Sequence, residues 1–404
     1  MRIFPSKAKG TMVAPPSKSM AHRHLICAAL ATGKSIIYNI DLSQDIKATL
    51  ACIGQLGAKA VVNGTTIEVE GVGAKTASDT KRVFFCNESG STLRFFIPLA
   101  MLSASRARFE GSEVLMTRPL SVYEDICSAQ GICLEHVNGG VELEGKLKPQ
   151  TFEIPGNISS QFITGLLFAL PLLDSDSTIV LTQSVESRPY IDMTLQVQRE
   201  FGIDAHWVSE NTLSIPGNQS YKAKDTTVEG DYSNAAFFEA LNTLGGCVDV
   251  TGLRADSLQG DKIYQSMFCE LEQGCPTLDI SDCPDLGPIL FVVAATHNGG
   301  VFTGTRRLKI KESNRGEVMC AELAKFGIQT KQEENRIEIC GGVPSYPTQV
   351  VLGHNDHRIV MSMATLMTVT GGRLSGIGAV RKSLPDYFDR IARLGIVFER
   401  EGDE

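Results

Sequence analysis

The chain has 404 residues, 43% of them hydrophobic and 21% charged, with a formal net charge of −8. That length exceeds one ordinary core, so two domains of about 200 residues each are expected. The negative balance argues against a general nucleic-acid binder, no apolar run reaches the roughly 18 residues of a membrane span, and residues 1–7 lack the apolar core of a signal peptide. Eleven cysteines, odd in number and without C-x-x-C spacing, read as reduced thiols of a cytoplasmic chain and not as a disulfide frame or zinc site.

Taken in order, Pro15-Pro16-Ser17-Lys18-Ser19 opens an apolar run with Leu25, Ile26, Ala29 and Leu30 on one face. Ser17 or Ser19 is the candidate N-cap, and the helix is expected to continue through Thr32 to a stop at Gly33. Residues 41–57 read as a second helix. Ala60-Val61-Val62 and Ile67-Glu68-Val69 read as strands around an Asn63-Gly64 turn. Val83-Phe84-Phe85-Cys86 reads as a buried strand leading to Gly90 and a helix carrying Arg94, which Pro98 should kink or delay. Pro119 suits the first position of another helix.

Ser159-Ser160-Gln161 precedes the apolar run from Phe162, and Ser187-Arg188-Pro189-Tyr190 opens a further segment. Asp231-Tyr232-Ser233 caps the next helix, and Asp285 stands at a helix start stiffened by Pro284. Lys311 and Arg315, four apart, are placed at the start of a helix running to Phe326. Asp356-His357-Arg358 opens an apolar helix ending at Gly371, and Lys382 precedes the last one.

One design thus recurs six times, a capping segment opening into an apolar helix, at intervals of roughly 70, 70, 70, 50 and 70 residues. A helix N-terminus presents unpaired N–H groups and partial positive charge, which favour phosphate or carboxylate. Any single capped helix need bind nothing. Here, however, the helix starts also carry Lys18, Arg23, Arg94, Arg118, Lys311, Arg315, Arg358 and Lys382. Such a set suits small, multiply charged anions, and Asp285 and Glu312 are available for proton transfer. No nucleotide P-loop or metal-ligand cluster stands out, and the residues alone leave the reaction open.

The motifs Pro16-Ser17-Lys18-Ser19 with Arg23, Gly90 with Arg94, Arg118-Pro119, Ser159-Ser160-Gln161 and Ser187-Arg188-Pro189-Tyr190 run in a definite order. They continue through Pro284-Asp285, Lys311-Glu312-Ser313-Asn314-Arg315, Asp356-His357-Arg358 and Lys382-Ser383-Leu384-Pro385-Asp386. In this order, over nearly the whole length, the sequence resembles the EPSP synthases (3-phosphoshikimate 1-carboxyvinyltransferases). The resemblance implies an α/β fold of two inside-out barrel domains, each of three βαβαββ repeats. Residues 1–14 and 228–404 would form one domain, 15–227 the other, and the active site would lie in the cleft between them.

The implied reaction is transfer of the enolpyruvyl group of phosphoenolpyruvate to the 5-hydroxyl of shikimate 3-phosphate, by addition and elimination, without metal or cofactor. The resemblance assigns catalysis to Asp285, Glu312, Lys18 and Lys382. It assigns shikimate 3-phosphate to Lys18, Ser19, Arg23, Ser159, Ser160, Gln161, Ser187, Tyr190, Asp285 and Lys311. Phosphoenolpyruvate falls to Lys18, Gly90, Arg118, Gln161, Arg315, His357, Arg358 and Lys382. A monomer with no nucleic-acid or membrane partner is expected. Three positions depart from the family pattern: Glu88 where many members have Asn, Arg307 where a substrate-binding Asn is described, and Arg188 in place of Lys.

Two rivals remain from the sequence. A UDP-N-acetylglucosamine enolpyruvyl transferase shares the fold, but its reactive-loop Cys has no counterpart near Arg118. A non-catalytic phospho-metabolite sensor would need neither Asp285 nor Glu312.

Overall fold

The computed structural model describes residues 1–73, 81–103 and 106–400. The chain divides into two compact units, Met1–Pro15 with Gly230–Glu404 and Pro16–Glu229. Each has its own apolar core, and the two are described separately below.

In the unit Pro16–Glu229, three four-stranded sheets share one topology. In one of them Arg82–Phe85 runs parallel to Ala107–Glu110, which pairs antiparallel with Gly140–Glu144, which in turn pairs antiparallel with Cys133–Val137. Thr151–Ile154, Ser177–Leu181, Thr212–Ile215 and His206–Trp207 repeat that order. The third sheet takes its first strand from far along the chain: Thr226–Thr227 lies parallel to Thr32–Tyr38, beside Thr66–Val72 and Lys59–Asn63.

The other unit repeats the pattern with Thr277–Asp279, Gly299–Thr303, Arg336–Cys340 and Thr330–Gln332. A second sheet places the N-terminal strand Arg2–Ile3 between Gly372–Ser375 and Phe398–Glu399, with Val351–Leu352 at its edge. Lys9–Val13 pairs in parallel with Cys247–Thr251.

Six helices are buried on nearly every side, while most of the strands alternate buried and exposed residues. These helices are Lys18–Leu30, Gly90–Ala100 and Ser160–Ala169 in one unit, and Tyr232–Thr243, Gly287–Thr296 and His357–Thr370 in the other. A helix apolar all round needs such a central position. Five of the six start on a side-chain cap: Ser17, Ser89, Ser159, Asp231 and Asp356 each accept from a backbone N–H of the first turn. The sixth starts from the tight turn Pro284–Leu286, which has no side-chain cap.

Several expected boundaries shift for identifiable reasons. The first helix stops at Leu30, because Thr32 and Gly33 are drawn into sheet pairing. The strand Arg82–Phe85 is not buried throughout, since Val83 and Phe85 face outward. The helix with Pro98 begins at Gly90, without delay. Pro98 has no N–H for the carbonyl four residues back, and that carbonyl, Arg94 O, instead accepts from the Tyr123 hydroxyl at 2.7 Å. Pro119 lies two residues ahead of the helix Ser121–Gln130, because Leu120 turns into the core as its cap position. Lys311 precedes, and does not enter, the helix Arg315–Ala324.

Candidate active site

Two constellations of charged and polar side chains gather at the starts of the buried helices, one in each unit. In the unit Pro16–Glu229, Ser17 caps its helix and leaves Lys18 as the first helical residue, paired with Asp45 at 2.8 Å. One turn on, Arg23 is fully enclosed. Its Nε donates to Thr194 Oγ1 at 2.9 Å, Nη1 to Ser19 O at 2.7 Å and Nη2 to Tyr190 O at 2.8 Å. Its guanidinium also lies 5.6 Å from the centre of the Phe95 ring. Burial lowers its pKa to about 10, so it stays charged at neutral pH. Three acceptors use three of five N–H donors, so both terminal nitrogens keep capacity for an incoming anion.

Gly90 begins the second central helix, and what surrounds it explains why it is glycine. A Cβ there would stand 2.8 Å from Arg118 Nη1, 3.6 Å from Arg94 Nη1 and 3.8 Å from Gln161 Oε1. Arg94 donates to Gln161 Oε1 at 2.6 Å and to Pro119 O at 3.2 Å, over the face of Phe162. The amide of Gln161 in turn donates to Ser91 Oγ at 3.0 Å. Arg94 thus sets the orientation of Gln161 and of the loop bearing Arg118. Ser159 caps the third helix through Gln161 N. Ser160 is buried beside it, and Ser187 is buried with φ at +57°. Tyr190 is half-buried.

In the second unit, Asp285 meets three cations. Arg315 Nη1 is 2.7 Å from one of its oxygens, Lys311 Nζ is 3.1 Å from the same oxygen, and Arg358 Nη2 is 3.1 Å from the other. Arg315 also holds Glu312 at 2.5 Å and Asp356 at 2.8 Å. Asp356 accepts from Arg358 N at 3.0 Å and from the Ser313 hydroxyl at 3.0 Å. Burial alone would raise the Asp285 pKa, but the charges of Arg358, Lys311 and Arg315 hold it well below the usual carboxylate range. Burial lowers the Lys311 pKa against the pull of Asp285. Lys382 is buried and donates to Asn355 O at 2.5 Å, next to the cap of the helix that starts at His357.

The site residues expected from sequence therefore fall into two groups. Lys18, Ser19, Arg23, Gly90, Arg118, Ser159, Ser160, Gln161, Ser187 and Tyr190 lie in one unit, and Asp285, Lys311, Glu312, Arg315, His357, Arg358 and Lys382 in the other. Asp45, Thr194 and Asp356 carry the positioning contacts; the first two received no role from sequence, and Asp356 was read only as part of a helix start. Thr194 shares the inward face of the helix Arg188–Glu200 with Ile191, Leu195 and Gln198, a periodicity that marks it as buried. Nothing local links Asp45 to Lys18. Of the departures from the family pattern, Arg188 stacks on Trp207 at 4.1 Å, Arg307 is buried and donates to Ser281 O, and Glu88 is half-buried two residues before Gly90. Among the described residues, no group of three or more His, Cys, Asp or Glu is placed to hold a metal ion, and no helix is long and apolar enough to cross a membrane.

The family described as EPSP synthase (3-phosphoshikimate 1-carboxyvinyltransferase) matches residues 4–391. A 3-phosphoshikimate 1-carboxyvinyltransferase of Clostridium beijerinckii is 42% identical, covering 99% of this chain and 98% of that protein. One from Clostridium perfringens is 39% identical over 99% of both. Among solved structures, EPSP synthase from Acinetobacter baumannii superposes with a TM-score of 0.79 at 22% identity, over 97% of each chain. The enolpyruvyl transferase NikO from Streptomyces tendae superposes at 0.78 and 14% identity, over 98% of this chain and 97% of that one, which speaks to the fold alone. With the family match spanning nearly the whole chain and these relatives covered end to end, the chain belongs to the EPSP synthase family.

Proposed function

We propose that this chain transfers the enolpyruvyl group of phosphoenolpyruvate to the 5-hydroxyl of shikimate 3-phosphate, with the two constellations acting together on one substrate pair. The observation that carries the chemistry is the carboxylate–cation cluster. Asp285 and Glu312 share Arg315, with Lys311 and Arg358 on Asp285. A pure anion-binding site has no use for two carboxylates among its cations, whereas an addition–elimination needs both a base and an acid.

In the addition, the 5-oxygen of shikimate 3-phosphate bonds to C2 of phosphoenolpyruvate. Asp285 takes the hydroxyl proton and Glu312 protonates the methylene carbon. In the elimination, the methyl carbon gives up a proton and the C2–O bond to phosphate breaks, which restores the double bond and releases inorganic phosphate. Lys18 and Lys382 stabilise charge as phosphate leaves. Prearranged cations of this kind supply much of the catalytic effect because they need no reorganisation at the moment of reaction.

Ser19 and Arg23 hold the shikimate carboxylate, supported by the N–H capacity left on Arg23 after its three protein contacts. Ser159, Ser160 and Ser187 take the 3-phosphate, Gln161 and Tyr190 flank the ring, and Lys311 joins Asp285 at the hydroxyl. Gly90, Arg118, Gln161, Arg315, His357, Arg358 and Lys382 surround phosphoenolpyruvate, and Lys18 reaches both substrates. The division of labour is tested by mass spectrometry of the product made from both substrates. An enolpyruvyl adduct of shikimate 3-phosphate is expected. An adduct formed only with UDP-N-acetylglucosamine would move the chain to the rival chemistry.

A further inference from the structure

The helix Arg315–Ala324 carries a buried carboxylate that the proposed reaction does not use. Glu322 is 1% exposed and stands two helical turns after Arg315, on the same face. Its Oε2 accepts from Leu352 N at 3.0 Å, and its Oε1 lies 2.8 Å from His354 Nε2. A carboxylate only accepts, so that ring nitrogen is the donor. Lys325 Nζ lies 2.7 Å from Oε2 and also donates to Val350 O at 3.0 Å. Three donors thus offset the desolvation that an enclosed carboxylate suffers.

The segment gripped in this way has a strained backbone. His354 and Asn355 both have positive φ, at +48° and +52°. Residues with a Cβ disfavour this region, and two in succession persist only where the surroundings over-determine them. Gly353, just before them, leaves no room for a side chain, since a Cβ would stand 2.6 Å from Val360 Cγ2 and 2.8 Å from Ser375 O. Just after them, Asp356 N donates to Gly353 O at 2.9 Å, and the Asp356 carboxylate accepts from Arg315 Nε at 2.8 Å. One helix therefore holds the turn at both ends, through Glu322 on Leu352 and His354 and through Arg315 on Asp356.

What the turn carries belongs to the phosphoenolpyruvate side of the proposed site. Asn355 O accepts from Lys382 Nζ, and Asp356 caps the helix that opens with His357 and Arg358. A return of Asn355 to an ordinary backbone region would swing its carbonyl away from Lys382.

We propose that Glu322 is a positioning residue for the transfer: through Leu352 and His354 it keeps the turn 353–356 in the left-handed form that fixes Lys382 and Arg358. This rests on the reading of those two cations as phosphoenolpyruvate ligands. The test compares KM and kcat of the full chain with those of Glu322→Gln and His354→Asn. Gln keeps the shape of Glu322 but turns one acceptor into N–H groups that face donors. Asn tolerates positive φ but is too short to reach Glu322. Both variants are expected to raise KM for phosphoenolpyruvate roughly tenfold, with KM for shikimate 3-phosphate nearly constant. Equal rises in both constants, or no rise in either, overturn the inference. So does a His354→Asn chain that fails to fold, because the contact would then serve the fold and not the turn. Where Glu322→Gln does not fold, His354→Asn decides alone.

A second arm needs no substrate. Hydrogen exchange at the Asp356 and Arg358 amides, which donate to Gly353 O and to Asp356 and not to Glu322, reads the order of the turn. Exchange there is expected to quicken about tenfold in both variants, the worth of one such hydrogen bond, while the helix Gly287–Thr296 keeps its protection. Unchanged exchange at those two amides overturns the inference. Wild type without turnover would count against the proposed function, while the exchange arm still decides whether Glu322 holds the turn.

Discussion

Arg315 and Asp285 stand 2.7 Å apart, and through that contact a fully enclosed guanidinium links three carboxylates. The Arg315 side chain is 1% exposed, with Glu312 and Asp356 on its other nitrogens. Burial works against the charge, yet Asp356, Glu312 and Asp285 together raise the Arg315 pKa. The arrangement fixes Glu312 and Asp285 relative to each other before any substrate arrives.

Arg315→Met removes that link and leaves Asp356, with no exposed side-chain surface, without its main cation. Breaking one side of a buried pair costs about 3–5 kcal/mol. Urea denaturation should show a loss of this size, with no substrate present. A change below about 1 kcal/mol would mean that the Ser313 hydroxyl and the Arg358 N–H suffice for Asp356.

Asp285 also gives the fold a pH dependence of known sign. Its folded pKa lies below the unfolded value of 3.8. Its stabilising contribution is therefore complete above about pH 4 and is lost as pH falls through the depressed folded value. The melting temperatures of wild type and Asp285→Asn should differ most above about pH 4 and converge below it. A gap that widens on acidification would contradict the assignment of charges in this cluster.

Asp285→Asn and Glu312→Gln should each lower kcat by about 10²–10⁴-fold, the usual range for loss of a positioned base or acid. Calorimetric binding of phosphoenolpyruvate should persist in both, because Arg118, Arg358 and Lys382 remain. Unchanged kcat in both variants would remove these two carboxylates from the chemistry.

Gly90→Ala should push Arg118 from its present place, since the new Cβ would come within 2.8 Å of Arg118 Nη1. The expected effect is a KM for phosphoenolpyruvate raised about tenfold, which is about 1.4 kcal/mol, with the KM for shikimate 3-phosphate nearly constant. Equal changes in both constants would place Gly90 and Arg118 elsewhere than at phosphoenolpyruvate.

How much of this was legible in the sequence depends on the range of the forces involved. The caps at Ser17, Ser159, Asp231 and Asp356 are local, formed within two or three residues, and the helices they open could be read directly. Where the helix before Gly33 ends could not, because Thr32 leaves it to pair with Val72, forty residues on. The loan of Thr226–Thr227 to the first sheet, and of Arg2–Ile3 to the last, has no local signal in two-residue strands.

The candidate site divides in the same way. Its charged residues could be named from motif order, but their supports could not. Asp45 on Lys18, Thr194 on Arg23, and Tyr123 on the carbonyl that Pro98 leaves open are products of packing between distant segments.

The central claim, that both constellations serve one transfer reaction, is tested most directly by phosphate release from phosphoenolpyruvate by the purified chain. Release is expected only when shikimate 3-phosphate is also present, and Glu312→Gln should abolish most of it. Release from phosphoenolpyruvate alone, or no release with both substrates, would contradict it.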